Sequence, residues 1–326
     1  MTQHQPIAPN LEILVGGENL IDFVELAGSN GLPQYSANPG GSPFNVAIAA
    51  ARQTCAVKYL TPVSTDRLGN MLAKSLVDSG VILEAPRVDA PTSLAIVSIE
   101  HGQPSYQFYR KDTAERLITR DGVEAALAKQ PWAFHIGSLA ISGGDDAAIW
   151  QDFFQDCHAA GVITSFDPNI RPALIADRAS YMARFEAMIG HADIIKLSDE
   201  DIAWLYPEME MMTAFDHLVA QSAKGLRVLT KGSDGAVARS AGGDISSPAH
   251  PVHELVDAVG AGDTFMASIL SWLAHHGATE RNAIHGLPED SLKEMIHWAA
   301  RAAALNCQAQ GCNPPSRADI ESLLNN

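Results

Sequence analysis

The chain has 326 residues, and 22 lysines and arginines against 38 aspartates and glutamates give it a formal net charge of −16. No basic run accompanies this acidic balance, so a nucleic-acid partner is excluded, and an anionic substrate must be held by local N–H groups and cations. The N-terminus lacks a signal-peptide pattern and no apolar stretch reaches membrane-span length, so we expect a cytoplasmic protein without a membrane partner, its four cysteines reduced.

Short apolar runs of β type alternate with helical patterns along the chain. Strands are predicted at the runs LEILVG, VKYLTPV, AFHIGS, VITSF, DIIKLS and LRVLTKG. Helices are predicted at about residues 43–54, 145–160 and 180–190. This alternation is typical of an α/β fold with a doubly wound, mainly parallel sheet that is covered by helices on both faces.

Two segments interrupt the alternation. Residues 20–36 (LIDFVELAGSNGLPQYS) and 92–110 (TSLAIVSIEHGQPSYQFYR) each read as strand, turn and strand, with glycine and proline at the turns. We predict that they pair into a small antiparallel sheet that forms a lid over the ligand site. Its exposed apolar face predicts pairing with a second copy, as a homodimer.

The stretch NPGGSPFNVAIAAARQ predicts a helix that starts directly after two glycines, with Ser42 as the N-cap. Gly40 and Gly41 either supply a turn with positive φ or let a ligand lie against bare backbone. Asn45 lies one turn into the helix, and Asp22 lies where the first core strand meets the lid. Both side chains can bond hydroxyl groups, which indicates a site for a polyol.

The stretch VDAVGAGDTF places glycines and an aspartate at the first turn of an apolar helix. One interpretation is an ordinary helix start that Asp263 helps to cap. The other is an anion hole, in which Gly260 and Gly262 let backbone N–H groups converge on phosphate oxygens. A carboxylate beside such a hole is useful if it accepts the proton of an attacking hydroxyl. The spacing matches neither the P-loop nor the dinucleotide fingerprint, so a nicotinamide-dependent dehydrogenase is excluded.

Five motifs, GGSPFNVA, DPNIRP, KLSDED, LTKGSDGA and DAVGAGDTF, occur in this order, and together they resemble the PfkB, or ribokinase-like, family of carbohydrate kinases. The resemblance runs from about residue 11 to GCNPPSR near the C-terminus. It implies a single kinase domain over residues 1–326, with a large α/β body and a lid from residues 20–36 and 92–110. It also implies ATP as the donor, Mg²⁺ on the phosphates, and K⁺ as a candidate monovalent cation.

The resemblance further implies a role for each residue that matches a family motif. The anion hole and general base fall on Gly260, Ala261, Gly262 and Asp263. The sugar-binding positions are Asp22, Gly41 and Asn45. The nucleotide-binding positions are Lys196, Ser198, Thr230, Gly232, Gly235 and Asn306.

Two metal assignments follow from the same resemblance. Asp257 matches a residue that helps to hold a monovalent cation behind the anion hole. Many relatives carry N-x-x-E near the magnesium water shell, where this chain has Ser198 and Asp201. Fructokinase-like members often carry a related variant, so Asp201 is the expected water-mediated magnesium contact, with Glu200 as a substitute.

The motif GGSPFNVA bears on the identity of the sugar. It is similar to the fructokinase-like branch of the family, and this similarity favours fructose. DPNIRP and FYRKDTAERL are similar to segments of both fructokinases and 2-keto-3-deoxygluconate kinases. Arg110 and Arg171 are either structural ion-pair partners or substrate ligands, and two arginines at the sugar would favour an acid sugar. A binding protein without turnover is the remaining alternative, which the retained Asp263 disfavours.

Overall fold

The structure, a computed structural model, describes residues 11–26, 32–100 and 103–323. The strands in chain order are β1 Glu12–Val15, β2 Leu20–Leu26, β3 Gln34–Gly40, β4 Ala56–Tyr59, β5 Ile82–Leu83, β6 Ser93–Glu100, β7 Gln103–Tyr109, β8 Ala133–Gly137, β9 Ile163–Asp167, β10 Ile194–Ser198, β11 Leu226–Thr230, β12 Ala236–Ser240 and β13 Gly243–Ser247. The α-helices are α1 Ser42–Arg52, α2 Arg67–Asp78, α3 Arg120–Leu127, α4 Asp145–Ala159, α5 Arg178–Ile189, α6 Asp199–Leu205, α7 Met211–Gln221, α8 Ala261–His275, α9 Arg281–His285, α10 Glu289–Asn306 and α11 Arg317–Ser322.

The large sheet has nine strands in the order β13-β12-β11-β10-β9-β8-β1-β4-β5. Its strands pair in parallel from β5 to β11, which confirms the predicted doubly wound architecture. The edge strands β12 and β13 pair antiparallel, and the sequence analysis did not predict them. Apolar side chains of α1, α2, α8 and α10 form the core on one face, and those of α4 to α7 form the core on the other.

The small sheet has four strands in the order β3-β2-β6-β7. Two antiparallel hairpins, β2/β3 and β6/β7, are joined by parallel pairing of β2 with β6. The predicted small sheet is therefore confirmed, but the prediction that it is purely antiparallel is wrong. Parallel pairing results because β2 and β6 both leave the large body in the same direction. Parts of the predicted turns, residues 27–31 and 101–102, lie outside the described residues.

The first helix starts differently from the sequence expectation. Gly41 is the N-cap of α1, with φ of 112°, and Ser42 is already the first helical residue. A Cβ atom on Gly41 would lie 2.6 Å from the carbonyl oxygen of Glu18, so a side chain has no room there. The Ser42 hydroxyl does not cap the helix, because it donates to Asp263 instead.

Cys55, Cys157, Cys307 and Cys312 are all free thiols, and the first three are buried. Within the described ranges, none of the helices combines the length and the apolarity that a bilayer span requires.

Candidate active site

The starts of α1 and α8 meet at the carboxyl ends of the large sheet's strands, and Asp263 lies between them. Ser42 Oγ donates to Asp263 Oδ1 at 2.7 Å, and Asn45 Nδ2 donates to Oδ2 at 2.8 Å. Asn169 Nδ2 approaches Oδ1 at 3.5 Å. The side chain is buried, and burial raises the pKa of Asp263, while the bonds from Asn45 and Ser42 and the charge of Lys196 act in the opposite direction. The carboxylate is thus fixed in place and more basic than an ordinary aspartate.

The backbone beside Asp263 has the form of an anion hole. Gly260 is the N-cap of α8 in the left-handed conformation, and a Cβ atom there would lie 2.2 Å from Cys312 Sγ. The Ala261 N–H donates to the Ala258 carbonyl at 3.2 Å, so it is occupied in this structure. The N–H groups of Gly262 and Asp263 belong to the first helical turn, which offers them no carbonyl partner. These two donors and the positive end of the α8 dipole can receive an anion.

A buried lysine lies directly beside this hole. A Cβ atom added to Gly262 would lie 3.1 Å from Lys196 Nζ, so the ammonium group sits against the backbone of the first turn. Lys196 Nζ pairs with Asp167 Oδ2 at 2.6 Å, and both side chains are buried. Burial lowers the pKa of Lys196, but the neighbouring carboxylates, first of all Asp167, outweigh burial and raise it above its ordinary value. The site therefore holds a permanent cation where phosphate oxygens would arrive.

The predicted sugar-binding residues lie at the root of the small sheet. A Cβ atom on Gly40 would lie 2.3 Å from Asp22 Oδ2, so the carboxylate rests against bare backbone. Burial raises the pKa of Asp22 to about 6, with Arg171 lowering it and Asp263 raising it. These interactions place Asp22, Arg171 and Asp263 within one electrostatic neighbourhood. Asn45 thus contacts Asp263 and Asp22 lies near it, while the contacts of Asp22, Gly41 and Asn45 with a polyol stay a prediction.

Arg110 and Arg171, the two candidate substrate ligands, differ in their hydrogen-bond partners. Arg110 is buried and forms two bonds with Glu115, Nε to Oε1 at 2.8 Å and Nη2 to Oε2 at 3.1 Å. This is the structural ion pair that the sequence analysis named as one alternative, and the substrate contact of Arg110 stays a prediction. Arg171 is exposed, and its Nη1 donates to the neighbouring carbonyls of Asn169 at 3.4 Å and Ile170 at 3.1 Å. Its charge acts to lower the pKa of Asp22 and of Asp263, so Arg171 lies near both carboxylates.

The predicted nucleotide residues follow the ends of β10 and β11. Thr230 closes β11, and its hydroxyl donates to the Leu197 carbonyl at 3.3 Å, which ties the two strand ends together. Gly232 and Gly235 both have positive φ, 52° and 89°. Gly232 has open space around its Cα, whereas a Cβ atom on Gly235 would lie 2.0 Å from the Ser247 carbonyl. The loop therefore needs both glycines for its shape and leaves bare backbone exposed only at Gly232.

Asp201, the expected magnesium contact, already accepts hydrogen bonds on both of its carboxylate oxygens. Asp201 Oδ1 accepts the Ile170 N–H at 2.6 Å, and Oδ2 accepts the Ser198 N–H at 2.9 Å and hydroxyl at 2.8 Å. Ser198 and Asp201 form a capping box at the start of α6, a structural role. Glu200 is the exposed carboxylate of the same turn. The part of the chain that the structure describes holds no group of three His, Cys, Asp or Glu side chains fit for a metal.

The predicted cation region behind the anion hole is held together by side-chain bonds. Asp257 Oδ1 accepts the Val259 N–H at 3.0 Å, and Oδ2 accepts the Gly311 N–H at 2.9 Å. Asn306 is fully buried, donates to the Val259 carbonyl at 2.8 Å and accepts the Asn313 N–H at 3.0 Å. The structure thus brings Asp257, Val259 and Asn306 together, and the binding of a cation there stays a prediction. It gives Asn306 the role of a tether for this loop, and its contact with nucleotide stays a prediction.

Several residues at the site were missed by sequence reasoning. Ser42 was interpreted as a helix cap, although its hydroxyl contacts Asp263. Asn169 and Asp167 both belong to DPNIRP, a motif that the sequence analysis used only for family resemblance and for Arg171. Asn169 has a positive φ of 36°, a conformation that aspartate and asparagine favour and that turns the amide toward Asp263. Glu18 gave no signal, because a lone glutamate after a strand reads as a turn residue.

Comparison with known proteins agrees with this geometry. Residues 10–319 match the pfkB family of carbohydrate kinases. A fructokinase of Rhizobium leguminosarum bv. trifolii is 33% identical over 285 residues, which cover 86% of this chain and 85% of that protein. The probable chloroplastic fructokinase-6 of Arabidopsis thaliana is 30% identical over 333 residues, covering 94% of this chain and 81% of that protein.

Solved structures share the fold over nearly the full length. A fructokinase of Xylella fastidiosa, crystallised with bound ATP, has a TM-score of 0.87 and 27% identity, covering 97% of this chain and 98% of that chain. A fructokinase of Vibrio cholerae, crystallised with fructose, ADP and calcium, has a TM-score of 0.82 at 22% identity, covering 97% of this chain and 99% of that chain. The family match, the identity to the Rhizobium relative and the helix starts that meet at Asp263 lead to one conclusion: this chain belongs to the PfkB family of carbohydrate kinases.

Proposed function

We propose that this sugar kinase transfers the γ-phosphoryl group of ATP to a hydroxyl of D-fructose, with Asp263 as the general base. The observation that carries the proposal is the buried Asp263 carboxylate, held by Ser42 and Asn45 beside the N–H groups of a helix start. A protein that only binds sugar or nucleotide gains nothing from a carboxylate next to phosphate. Turnover gives the carboxylate a use, because the attacking hydroxyl must lose its proton.

The residues of this chain divide the chemistry between them. The sugar oxygen attacks the γ-phosphorus, the bond from that phosphorus to the β–γ bridging oxygen breaks, and ADP leaves, while Asp263 accepts the hydroxyl proton. The N–H groups of Gly262 and Asp263 and the Lys196 ammonium stabilise the charge on the transferred group. Magnesium bound on the phosphates would neutralise their charge, and the exposed Glu200 is the carboxylate that would hold it.

The interactions of Arg110 and Arg171 favour a neutral sugar over an acid sugar. A carboxylate on the substrate would be recognised best by two convergent guanidinium groups. Arg110 is buried in its pair with Glu115, whereas Arg171 is exposed and its charge acts on Asp22 and Asp263. The fructokinase relatives from Rhizobium and Arabidopsis support the same choice. The second candidate, 2-keto-3-deoxygluconate, relies on the exposed charge of Arg171 alone.

We also propose that the chain forms one kinase domain, with the small sheet as its lid, and that two lids pair in a homodimer. Val24 and Leu26 share the Asp22 face of β2, because alternate strand residues point the same way. They are 37% and 43% exposed, and Leu32 just beyond them is 73% exposed. Such a row of apolar side chains on a small open sheet is suited to cover by a second copy.

Replacement of Asp263 by Asn tests the base. Because the amide cannot accept the proton, we expect kcat to fall roughly 10²- to 10⁴-fold, with ATP binding retained. The base is active when deprotonated and burial raises its pKa, so wild-type activity should be lost as pH falls, starting above the ordinary range near 4. ADP release measured between pH 4 and 9 checks both statements. Turnover of the Asn variant within a few-fold of wild type would contradict the assignment.

Replacement of Gly262 by Ala tests the anion hole separately from the fold. Alanine favours helix over glycine by up to about 1 kcal/mol, so stability should hold or rise. The new methyl group would lie 3.1 Å from Lys196 Nζ, at the position where phosphate must approach. We expect kcat to fall roughly 10- to 100-fold while Tm is kept. Gly190→Ala, where a Cβ atom would meet nothing closer than 3.7 Å, is a control for glycine removal outside the site, and unchanged kcat in Gly262→Ala would argue against the hole.

The choice of sugar is tested by kcat/KM for fructose and for 2-keto-3-deoxygluconate on the wild-type enzyme. We expect fructose to be preferred, and Asp22→Ala to lose about 1–3 kcal/mol of transition-state stabilisation because a buried hydroxyl loses its partner. Arg171→Ala should lower turnover of both sugars. Arg120→Ala, which removes a surface pair with Asp152, is the control. A clear preference for the keto acid, abolished by Arg171→Ala, would establish the second candidate instead.

The homodimer is tested by sedimentation velocity of wild type and Leu26→Lys. We expect a dimer for wild type and a monomer for the variant, because a lysine would be buried against the partner's apolar face. Val77→Lys changes an exposed valine on α2 and should leave the dimer intact. Wild-type protein that sediments as a monomer at micromolar concentration would end the proposal.

A further inference from the structure

All four strands of the small sheet join the body at one place. Strand β2 starts two residues after Glu18, and β3 ends two residues before Ser42. Strand β6 starts at Ser93, and β7 ends at the residue before Arg110. All four of these side chains are buried. The name lid-root network is used here for these four residues together with Glu115 and Leu139.

Glu18 is the first half of this network. Its carboxylate is 2% exposed, and it accepts two backbone N–H groups from distant segments. Oε1 accepts the Ser42 N–H at 2.9 Å, and Oε2 accepts the Leu139 N–H at 3.1 Å. One side chain thus fixes both the first residue of α1 and the turn after β8. The Glu18 carbonyl also receives the Tyr59 hydroxyl at 2.9 Å, which holds its backbone in place.

Glu115 is the second half. Glu115 is also 2% exposed. Its carboxylate accepts the Ser93 hydroxyl at 2.9 Å and the two Arg110 donors Nε and Nη2. Arg110 Nη1 reaches the Leu139 carbonyl at 3.5 Å. Glu18 binds the N–H of Leu139 and Arg110 reaches its carbonyl, so this residue joins the two halves. A shift of any lid strand relative to the body must therefore disturb the bonds of this network.

The same network ends at the catalytic carboxylate. The Ser42 N–H donates to Glu18 Oε1, and the Ser42 hydroxyl donates to Asp263 Oδ1. Asn45, one turn further along α1, holds Asp263 Oδ2. Only the Ser42 residue therefore separates the Glu18 carboxylate from the carboxylate of the base. A displacement of the start of α1 would move both donors of Asp263 together.

We propose that Glu18 is a positioning residue, which couples the position of the lid to the alignment of Asp263 through the start of α1. Sugar that draws the lid onto the body thereby tightens the Ser42 and Asn45 donors around Asp263, so that closure of the lid and the geometry of the base change together. The proposal deepens the proposed function, because it rests on Asp263 being the base. Glu18 itself contacts neither substrate.

The test compares Glu18→Gln with wild type. The amide keeps the shape but offers one acceptor oxygen where the carboxylate offers two, so one of the two N–H groups loses its partner. We expect kcat to fall at least roughly tenfold with KM for ATP unchanged, the pattern of a misplaced reacting group. Glu12→Gln, which breaks the pair with Lys58 at the other end of β1, should leave kcat unchanged.

Hydrogen exchange supplies a readout that a merely structural role would not change. In wild type, the better of the two sugars tested above should slow exchange in residues 20–26, 93–98 and 42–48 together. In Glu18→Gln, the two lid segments should still be protected, while residues 42–48 should not be. Normal kcat in this variant, or a lower Tm with joint protection intact, would overturn the proposal.

Two further measurements keep the outcome decisive. If Glu18→Gln does not fold, Glu115→Gln breaks the same network from the lid side and should show the same separation of protected segments. Wild-type protein in which sugar protects the lid but not residues 42–48 overturns the proposal without any variant. Asp263→Asn should keep joint protection, so full turnover in that variant would reject the base and leave the coupling standing.

Discussion

A buried carboxylate keeps its charge only where donors reach it, and the bonds of Asp263 to α1 are the constraint on which this site depends. They require α1 to begin at Ser42, which in turn requires the left-handed Gly41 and the acceptor Glu18 behind it. They also require α8 to begin at the left-handed Gly260, with Cys312 packed against it. The positions of two helices and of the lid root therefore follow from holding one side chain.

The charges of the site explain how an acidic protein can accept an anion. The carboxylates of Asp167, Asp201 and Asp263 raise the pKa of Lys196 above its ordinary value, although burial acts in the opposite direction. Asp201 accepts bonds from N–H and hydroxyl donors. Lys196 and the N–H groups at the start of α8 thus supply local donors for an anion in a chain whose net charge is −16.

Periodicity predicted the large sheet, its helices and the small sheet, because burial on both faces dictates those patterns. It missed the antiparallel edge of β12 and β13 and the parallel pairing of β2 with β6, since strand order is set by tertiary contacts. The glycines before α1 and α8 marked two helix starts that meet in the structure, whereas Ser42 was misjudged because its preference for caps was overridden by Asp263. Glu18 and Asp167 could not be identified, because their roles depend on partners far away in sequence.

The bonds that hold the base join residues 221 and 218 positions apart, Ser42 and Asn45 on one side and Asp263 on the other. During synthesis, the first of these segments is complete long before the second leaves the ribosome. Such long-range contacts form late, because the connecting chain must lose its freedom first. No N-terminal fragment that stops before α8 contains the catalytic centre, so a nascent chain cannot consume nucleotide until its last large helices have docked.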